Sequence, residues 1–411
     1  MSARAESGYI GGEAMILGDW VMYLNEGYIT DIRRRIHARP EIGFDLPETV
    51  ALVKSELGAM GIPFTERYGR SSIVAEINGG KKAFTAGIRA DMDALPIEEA
   101  NDVPYRSTIK NAMHACGHDA HTAILLGTAR VLKSIEDRLE CRVRLLFQPC
   151  EEGEESGARL MTENGVMDDI DVILGLHVDN RLESGHIGVC PGESMAASHP
   201  IKIEFFGKST HATTPHTGRD ALAMAVKTYS GIQAMLCREI DPFARYACSV
   251  CSLNSGLTYN VVPDRAEMKI ALRTFDAGLD NFIADRIRVI AGHAASEMGG
   301  RASVTGETEA RVVFNDPALS ELVLKSAAEA LGPDRTSNIS PRLGSEDFSF
   351  YLAKKPGVFL RLGTRNEKKG CVAMPHSSDF MIDEDALASG VKVFVQFVVD
   401  NMRGIDLPKR A

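Results

Sequence analysis

The stretch Asn111–Ala123, NAMHACGHDAHTA, concentrates residue types that bind metal ions. Three histidines, a cysteine and an aspartate fall within eight positions of it, namely His114, Cys116, His118, Asp119 and His121. Histidine is scarce in the chain as a whole, with 11 among 411 residues, so chance clustering is a poor explanation. Imidazole and thiolate together are the donors that zinc and similar ions prefer. The stretch therefore predicts one side of a metal site.

The backbone around this stretch favours such a site. The apolar run over residues 123–132 predicts a helix, with Thr122 or an earlier Asp as its N-cap. The stretch would then be a loop that enters a helix N-terminus, where backbone N–H groups favour anionic ligands. Gly117 separates Cys116 from His118 and permits backbone dihedrals that could direct both side chains at one ion.

Composition and charge exclude several classes of protein. A length of 411 residues predicts two domains, and 44% hydrophobic with 25% charged residues is ordinary for a globular protein. The formal net charge of −10 argues against nucleic acid or an anionic membrane as the main partner. No apolar run approaches the roughly 20 residues that span a bilayer.

The termini and cysteines predict a cytoplasmic protein. The N-terminus lacks a basic segment followed by an apolar core, so it does not read as a secretory signal. The 8 cysteines are scattered, as expected for thiols in a reducing compartment. Roughly the first 12 residues read as a poorly ordered extension.

Strands alternate with helices in both end portions of the chain. This pattern predicts an α/β sheet with helices on both faces. Helices are expected at 19–38, 47–60, 158–162, 317–331 and 384–402, and strands at 72–77, 83–88, 141–148, 172–176 and 357–363. Asn78-Gly79-Gly80 between the first two strands predicts a hairpin.

The middle of the chain changes to a βαββαβ pattern, typical of a two-layer α+β module. Its expected elements are strands at 200–206, 245–254, 265–274 and 301–312 and helices at 220–236 and 278–297. The prediction is therefore a discontinuous domain over residues 13–197 and 314–411, with a second domain at 198–313 inserted into it.

Further donors follow predicted strands. Glu151-Glu152 comes directly after strand 141–148, His177 closes strand 172–176, and His376 follows Met374-Pro375. Adjacent carboxylates are often only surface charge, as Glu154 and Glu155 are expected to be, and a single histidine is more often packed in a core. Beside the cysteine–histidine cluster, however, one carboxylate could bind metal while the other takes a proton from water.

These donors outnumber what one ion needs. A catalytic zinc takes three or four protein ligands, whereas the candidate ligands are Cys116, His118, Glu152, His177 and His376. Five donors fit two ions better. Because a metal-bound histidine usually gives its other N–H to a carboxylate, Asp91 and Asp119 are expected to support the ligands, and Asp93 is a weaker candidate.

The inserted domain carries polar candidates of its own. His211 leaves a strand in STHATTPH, while Asn260 and Arg273 lie on or beside strands. These side chains suit a developing oxyanion or a substrate carboxylate. The alternatives are a turn for Asn260 and a surface ion pair for Arg273, and composition alone does not decide between them.

The motifs together resemble the amidohydrolases related to aminoacylase and carboxypeptidase, the branch with hippurate hydrolases, auxin-conjugate hydrolases and N-acetyl-diaminopimelate deacetylases. The resemblance covers essentially residues 33–400. It rests on the order of ADMDALP (90–96), NAMHACGHDAHTA, LLFQPCEEG (145–153), GLHV (175–178), STHATTPH, NVVPD (260–264), RTF (273–275), SEDF (345–348) and PHSSDF (375–380).

The resemblance implies a mixed-sheet, zinc-exopeptidase-like catalytic domain with an inserted ferredoxin-like lid and dimerisation domain. It implies two divalent ions (Zn, Mn, Co or Ni) held by the five candidate ligands, with Glu151 as general base and then acid. His211 would stabilise the oxyanion in a neighbouring subunit's site, and Asn260 and Arg273 would line the substrate pocket. A homodimer or homotetramer is expected.

The function expected from this resemblance is hydrolysis of the amide bond of N-acyl amino acids. A dipeptidase or carboxypeptidase shares every motif, so it stays open as an alternative. A metal-dependent binding protein without catalysis is a second alternative, against which the intact Glu151 argues.

Overall fold

A computed structural model describes residues 19–80, 84–153 and 155–407 of the chain. The expectations for the N-terminal extension, for Ala83 and for Glu154 lie outside these residues. No helix in the described ranges is long and apolar enough to cross a membrane.

Capping side chains mark the starts of several helices, although the helix expected at 19–38 begins only at Glu26. Asn25 accepts a hydrogen bond from Tyr28 N–H at the first helix, and Pro47 opens the second at a position where its missing N–H costs nothing. The helices are α1 (Glu26–His37), α2 (Pro47–Ala59), α3 (His118–Ser134), α4 (Gly157–Glu163), α5 (Ala221–Arg238), α6 (Ala277–Glu297), α7 (Pro317–Leu331), α8 (Ser349–Leu352) and α9 (Leu387–Asn401). Residues 19–23 form a separate 3₁₀ turn before α1.

The strands in chain order are β1 (Phe64–Thr65), β2 (Ile73–Ile77), β3 (Thr85–Asp91), β4 (Arg142–Gln148), β5 (Val172–Glu183), β6 (Ile187–Val189), β7 (Gly192–Met195), β8 (Ala197–Phe206), β9 (Thr210–His211), β10 (Tyr246–Ser255), β11 (Val261–Val262), β12 (Arg265–Thr274), β13 (Arg301–Thr305), β14 (Val313–Asn315), β15 (Thr336–Asn338) and β16 (Gly357–Arg365). Eight of them form one mixed sheet in the order β1-β2-β4-β3-β5-β16-β6-β15.

The predicted hairpin between β2 and β3 is wrong. β4 lies between these strands, antiparallel to β2 and parallel to β3. The turn itself forms, with Asn78 at a φ of 59°. Its side-chain amide donates to the carbonyls of Leu139 and Cys141, just before β4, and so helps to hold β4 in the gap.

The centre of the large sheet is parallel, and this places the site. β4, β3, β5 and β16 are neighbours that run in the same direction, so their carboxyl ends meet at one edge. α3 packs on one face with α1 and α9 in a core that includes Ile124, Leu126 and Val391. A second core with Ile173 and Phe348 covers the other face.

Residues 197–305 build a smaller sheet in the order β10-β12-β8-β13, with every neighbouring pair antiparallel. α5 and α6 pack on one face of it around Met224, Phe205 and Ile287. This is the βαββαβ arrangement that the alternating pattern indicates. The predicted boundaries at 198 and 313 stay a prediction.

Candidate metal centre

The stretch Asn111–Ala123 enters α3 earlier than its apolar run indicates. The helix begins at His118, and its N-cap is Gly117 at a φ of 89°, so the predicted cap at Thr122 or an earlier Asp is wrong. Glycine is required here, because a Cβ at this position would lie 2.4 Å from Cγ2 of Val178. His118 and His121 therefore lie in the first turn of a buried helix.

His177 does not close its strand. β5 continues to Glu183, because β16 pairs alongside it and matches Arg361 to His177. The Nδ1 atom of His177 lies 2.6 Å from the carbonyl oxygen of Val178, which leaves Nε2 as the free ligand atom. Nε2 faces Sγ of Cys116 at 3.3 Å.

The five candidate ligands converge from four parts of the chain. Oε1 of Glu152 lies 3.1 Å from Nε2 of His376 and 3.9 Å from Nε2 of His118. Two triads have donor atoms within 4.8 Å of one another: Cys116, His118 and His177, and Cys116, Glu152 and His376. Cys116 belongs to both triads, and the five residues together could hold two cations.

Unpaired buried atoms test whether cations fit. Both ring nitrogens of His118 and Oε1 of Glu152 are buried and make no hydrogen bond within the described residues. Buried polar atoms are nearly always satisfied. Thiol, imidazole and carboxylate donors that face one another at such short distances match the ligand set of a zinc-class ion.

Electrostatics in this cluster point the same way. Burial and the charges of Glu152 and Glu151 raise the pKa of the Cys116 thiol well above its usual range. Burial opposes the charged form of His118, but Asp91 and Asp93 raise its pKa to about 10. Protons thus occupy donors that a divalent cation would deprotonate, so cation binding should release protons.

Glu151 lies beside the cluster but is not one of the five candidate ligands. Its Oε2 is 3.9 Å from Nε2 of His118, and its carboxylate also approaches Glu346 and Asp347. Burial and the neighbouring charges, Glu346 first, raise the pKa of Glu151 well above its usual range. For Glu152 burial acts in the same sense, but contact with His376 and the charge of His118 outweigh it and lower the pKa. The two adjacent carboxylates therefore have different protonation chemistry.

Asp91 and Asp93 support the cluster from the end of β3. Asp91 lies 3.7 Å from Nε2 of His118 and bonds Nδ1 of His121 at 2.6 Å. Asp93, the weaker candidate by sequence, accepts the backbone N–H groups of Glu151 and Glu152 at 2.9 and 3.1 Å. It also lies 3.4 Å from Nδ1 of His118. Asp93 thus ties the carboxylate loop to the histidine loop.

Asp119 does not contact a candidate ligand, contrary to the expectation. Its carboxylate accepts from Nδ1 of His37 and pairs with Nε of Arg33, each at 2.7 Å. One residue along a helix turns the side chain by about 100°, so neighbours such as His118 and Asp119 face different directions. His121 is satisfied by Asp91 and by Val178 N–H, which agrees with a supporting role.

The structure separates the candidates of the inserted segment. Arg273 lines a cavity of about 590 Å³ together with Glu151, His177 and His376. His211 and Asn260 do not line it. His211 ends β9 and Asn260 directly precedes the paired strand β11, where Ala212 N–H donates to the Asn260 carbonyl, and His211 is exposed.

Sequence reasoning missed several charged residues that line the same cavity, among them Glu346, Asp347 and Arg361. The SEDF motif (345–348) is part of the family resemblance, but the sequence does not indicate what its residues contact. In the structure Arg89, fully buried in β3, pairs with Asp91, Glu346 and Asp347. An arginine inside an apolar strand was the available signal for the two acids, since a buried guanidinium needs carboxylates.

The fold and the donor set define the class of protein, a metal-dependent hydrolase. Comparison with known proteins identifies the family. The model of peptidase family M20/M25/M40 matches residues 87–400. Thermostable carboxypeptidase 2 of Saccharolobus solfataricus is 38% identical over 368 residues, which cover 89% of this chain and 93% of that protein. IAA-amino acid hydrolase ILR1-like 4 of Arabidopsis thaliana is 35% identical over 370 residues, 89% and 84% of the two chains.

A solved structure agrees with these relatives. The Bacillus subtilis YXEP protein, described as a dinuclear metal-binding peptidase of the M20 family, superposes with a TM-score of 0.80. It is 31% identical and covers 92% of this chain and 99% of that chain. The chain therefore belongs to peptidase family M20/M25/M40. This confirms the resemblance, the α/β fold class and the predicted class of enzyme, a metal-dependent amidohydrolase.

Proposed function

We propose that this protein hydrolyses the amide bond of N-acyl amino acids, releasing a carboxylic acid and a free amino acid. The observation that carries the proposal is Glu151, a largely buried carboxylate with a raised pKa beside a cluster of thiol, imidazole and carboxylate donors whose ligand atoms lie close together. The relatives include a protein named for hydrolysis of an amino-acid conjugate.

Two divalent ions fit the donor triads that share Cys116, with Zn, Mn, Co and Ni as candidates. Cys116, His118, Glu152, His177 and His376 would hold them, and the related YXEP protein is described as dinuclear. Such ions, when bound, polarise a carbonyl group and lower the pKa of water.

Glu151 performs the proton transfers in this proposal. It takes a proton from the water that attacks the carbonyl carbon, and it returns that proton to the amide nitrogen as the C–N bond breaks. The water oxygen stays with the acyl group, which leaves as the acid. Burial and Glu346 raise the pKa of Glu151, which favours its holding the proton between the two transfers.

The size of the cavity favours a small substrate. Its volume of about 590 Å³ suits a compact ligand rather than a long peptide. Arg273, at its rim on β12, is available to pair with the carboxylate of the amino-acid half. Dipeptides share this carboxylate and the amide, so a dipeptidase or carboxypeptidase activity is the second candidate, favoured by the relative named as a carboxypeptidase.

The inserted segment at 198–313 acts as a lid and dimerisation domain in this proposal. β10 is an edge strand, and Phe243, Leu257 and Tyr259 beside the sheet are more than nine-tenths exposed. Large exposed apolar side chains mark association surfaces. A homodimer or homotetramer through this surface would let His211 reach the cavity of a second subunit and stabilise the oxyanion there.

A cytoplasmic location is part of the same proposal. The eight cysteines all lie in the described ranges, and no disulfide joins any of them there. A reducing compartment keeps thiols in this state.

A metal-reconstituted substrate screen tests the activity. Metal-stripped protein, reloaded separately with Zn, Mn, Co or Ni, is assayed on N-acetyl and N-benzoyl amino acids and on dipeptides. We expect turnover of acyl amino acids with at least one metal. Turnover of dipeptides alone would transfer the function to the alternative, and no turnover with any metal would favour a binding protein.

Elemental analysis tests the ligand set. Cys116→Ala should lower the bound metal, since it removes the donor common to both triads. Cys371→Ala is the matched control, because Cys371 is similarly buried but belongs to neither triad. Unchanged metal content in Cys116→Ala would contradict the assignment.

A further inference from the structure

Arg361 is a buried cation in the wall of the candidate site that the proposed reaction does not use. It lies on β16, in register with His177 on β5, and both side chains line the cavity that contains Glu151. Only 6% of Arg361 is exposed. It is therefore a charged group almost removed from water, with its remaining access directed into this cavity.

Arg361 lacks a carboxylate partner. In the described part of the chain it forms no salt bridge, and its hydrogen-bond donation goes to Sδ of Met195, a weak acceptor. Its guanidinium otherwise lies 5.1 Å from the ring centroid of Phe359. A buried charge without a compensating partner is strongly unfavourable, so such a group needs an explanation.

The nearby carboxylates are already engaged. Asp179 pairs with Arg342 and accepts from the backbone N–H of Arg181 at 2.9 Å. Glu346 pairs with Arg89 at 3.1 Å. Within the described residues each of these two acids thus pairs with an arginine other than Arg361, whose charge an anionic group of a ligand would balance.

The position of Arg361 in the sheet indicates which half of the substrate it meets. β4, which leads into Glu151, and β16 are separated by β3 and β5, so their backbones lie roughly 14 Å apart at ordinary strand spacing. Glu151 returns the proton to the leaving amine, so the amine half lies at the β4 side. The acyl half then extends past His177 toward β16.

We propose that Arg361 is a specificity-determining residue that binds a carboxylate carried by the acyl group. The favoured substrates are amino acids acylated by one end of a dicarboxylic acid. This inference rests on the proposed function, because it assigns the acyl side from the role of Glu151.

Isosteric substrate pairs test the inference. N-succinyl-L-leucine is compared with N-(4-methylpentanoyl)-L-leucine, which has the same shape without the charge, and N-glutaryl-L-leucine with its neutral isostere tests a longer reach. We expect wild-type kcat/KM to favour a charged member. Arg361→Met should lower kcat/KM for that member on the order of 100-fold and leave its neutral partner essentially unchanged.

Two further variants separate specificity from structure. Arg365→Met carries the same substitution on the same strand but outside the cavity, and it should keep the wild-type preference. Arg361→Lys should retain part of the preference through its charge. The melting temperature of Arg361→Met should equal or exceed that of the wild type, whereas a purely structural arginine would lower it on removal.

The outcomes are distinct. Equal wild-type kcat/KM for charged and neutral members, or an equal loss on both in Arg361→Met, overturns the inference. N-acetyl-L-glutamate and N-acetyl-L-glutamine differ in charge on the amino-acid half instead. If Arg361→Met changes only the preference between these two substrates, the assignment of Arg361 to the acyl half is overturned. If the wild type hydrolyses no substrate, the proposed function fails, but the role of Arg361 can still be tested by calorimetric binding of succinate and 4-methylpentanoate. Succinate binding that Arg361→Met abolishes supports this role. Equal binding of the two compounds refutes it.

Discussion

Glu151 and Glu152 are neighbours in sequence with opposite electrostatic settings. Glu151 faces Glu346 and Asp347, which raise its pKa together with burial, whereas Glu152 faces His376 and His118. The first setting suits proton transfer and the second suits a bound cation. The different roles of the two carboxylates therefore follow from the groups that lie next to each of them.

Replacing the base should separate chemistry from metal binding. We expect Glu151→Gln to lower kcat by about 1,000-fold, because the amide cannot accept a proton, while bound metal is retained. Elemental analysis and steady-state kinetics on the same preparation measure both. Glu155→Gln, an exposed acid in the same loop, is the control. Near-normal turnover of Glu151→Gln would remove Glu151 as the base.

The buried network behind α3 should make stability depend on pH through His37. Burial and Arg33 act to lower the pKa of His37, but Asp119 and Glu99 outweigh them and raise it above its ordinary value. The folded protein therefore holds this proton more tightly than the unfolded chain does. The resulting stabilisation is complete below the ordinary pKa of about 6.5 and is lost as pH rises through the raised folded value.

His37→Gln tests this sign. At pH 6 it should lower the free energy of unfolding by about 3 kcal/mol, because it removes the charged partner of buried Glu99 and one of the two partners of Asp119, which keeps Arg33. The difference from wild type should shrink by pH 9. Denaturant unfolding at both pH values measures it, with exposed His293→Gln as control. A difference that grows with pH would contradict the assignment.

At the scale of elements, the start of α3 decides the geometry of the centre. Gly117 adopts a left-handed backbone conformation between Cys116, which lies in the loop, and His118, which begins the helix. His376, also at a positive φ of 69°, donates its backbone N–H to the Ala115 carbonyl and so joins a distant loop to this one. Two special backbone conformations thus bring donors together across about 260 residues of chain.

Adding a methyl group at the helix start should disturb this arrangement. Gly117→Ala meets Val178 and an unfavourable φ, so we expect a loss of about 1–3 kcal/mol in stability together with weaker metal binding. Gly292→Ala in α6, where a Cβ would have no neighbour within 4 Å, should be tolerated. Thermal unfolding and metal titration compare the two. Equal behaviour of both variants would contradict the structural role of Gly117.

At the scale of the whole molecule, the exposed position of His211 outside the cavity bears on assembly. If His211 serves the site of a second subunit, a subunit that lacks Glu151 can still supply His211 to its partner. Function and assembly are then inseparable, since neither subunit has a complete site alone.

Subunit mixing tests this arrangement. Glu151→Gln and His211→Ala should each be nearly inactive alone. Unfolded together and refolded as random dimers, they should recover about a quarter of wild-type activity, because half of the dimers carry one complete site. Each variant refolded alone is the control. No recovery in the mixture would show that His211 acts within its own subunit or not at all.

The sequence alone determined the donor types, their order along the chain and most elements. Pro47 at the start of α2, the alternating strands and the βαββαβ segment are local patterns, and local patterns follow from neighbouring residues. The family resemblance likewise rests on motifs read in order, and the match to peptidase family M20/M25/M40 confirms it.

Only the tertiary structure decided how these parts meet. It placed β4 between β2 and β3, carried β5 past His177, turned Asp119 toward His37, and gave Asp93 its contacts with the Glu151–Glu152 backbone. It also set Arg361 beside His177, 184 residues apart in sequence. Strand order, register and burial depend on pairing between distant segments, and no local pattern encodes which distant segment will be the partner.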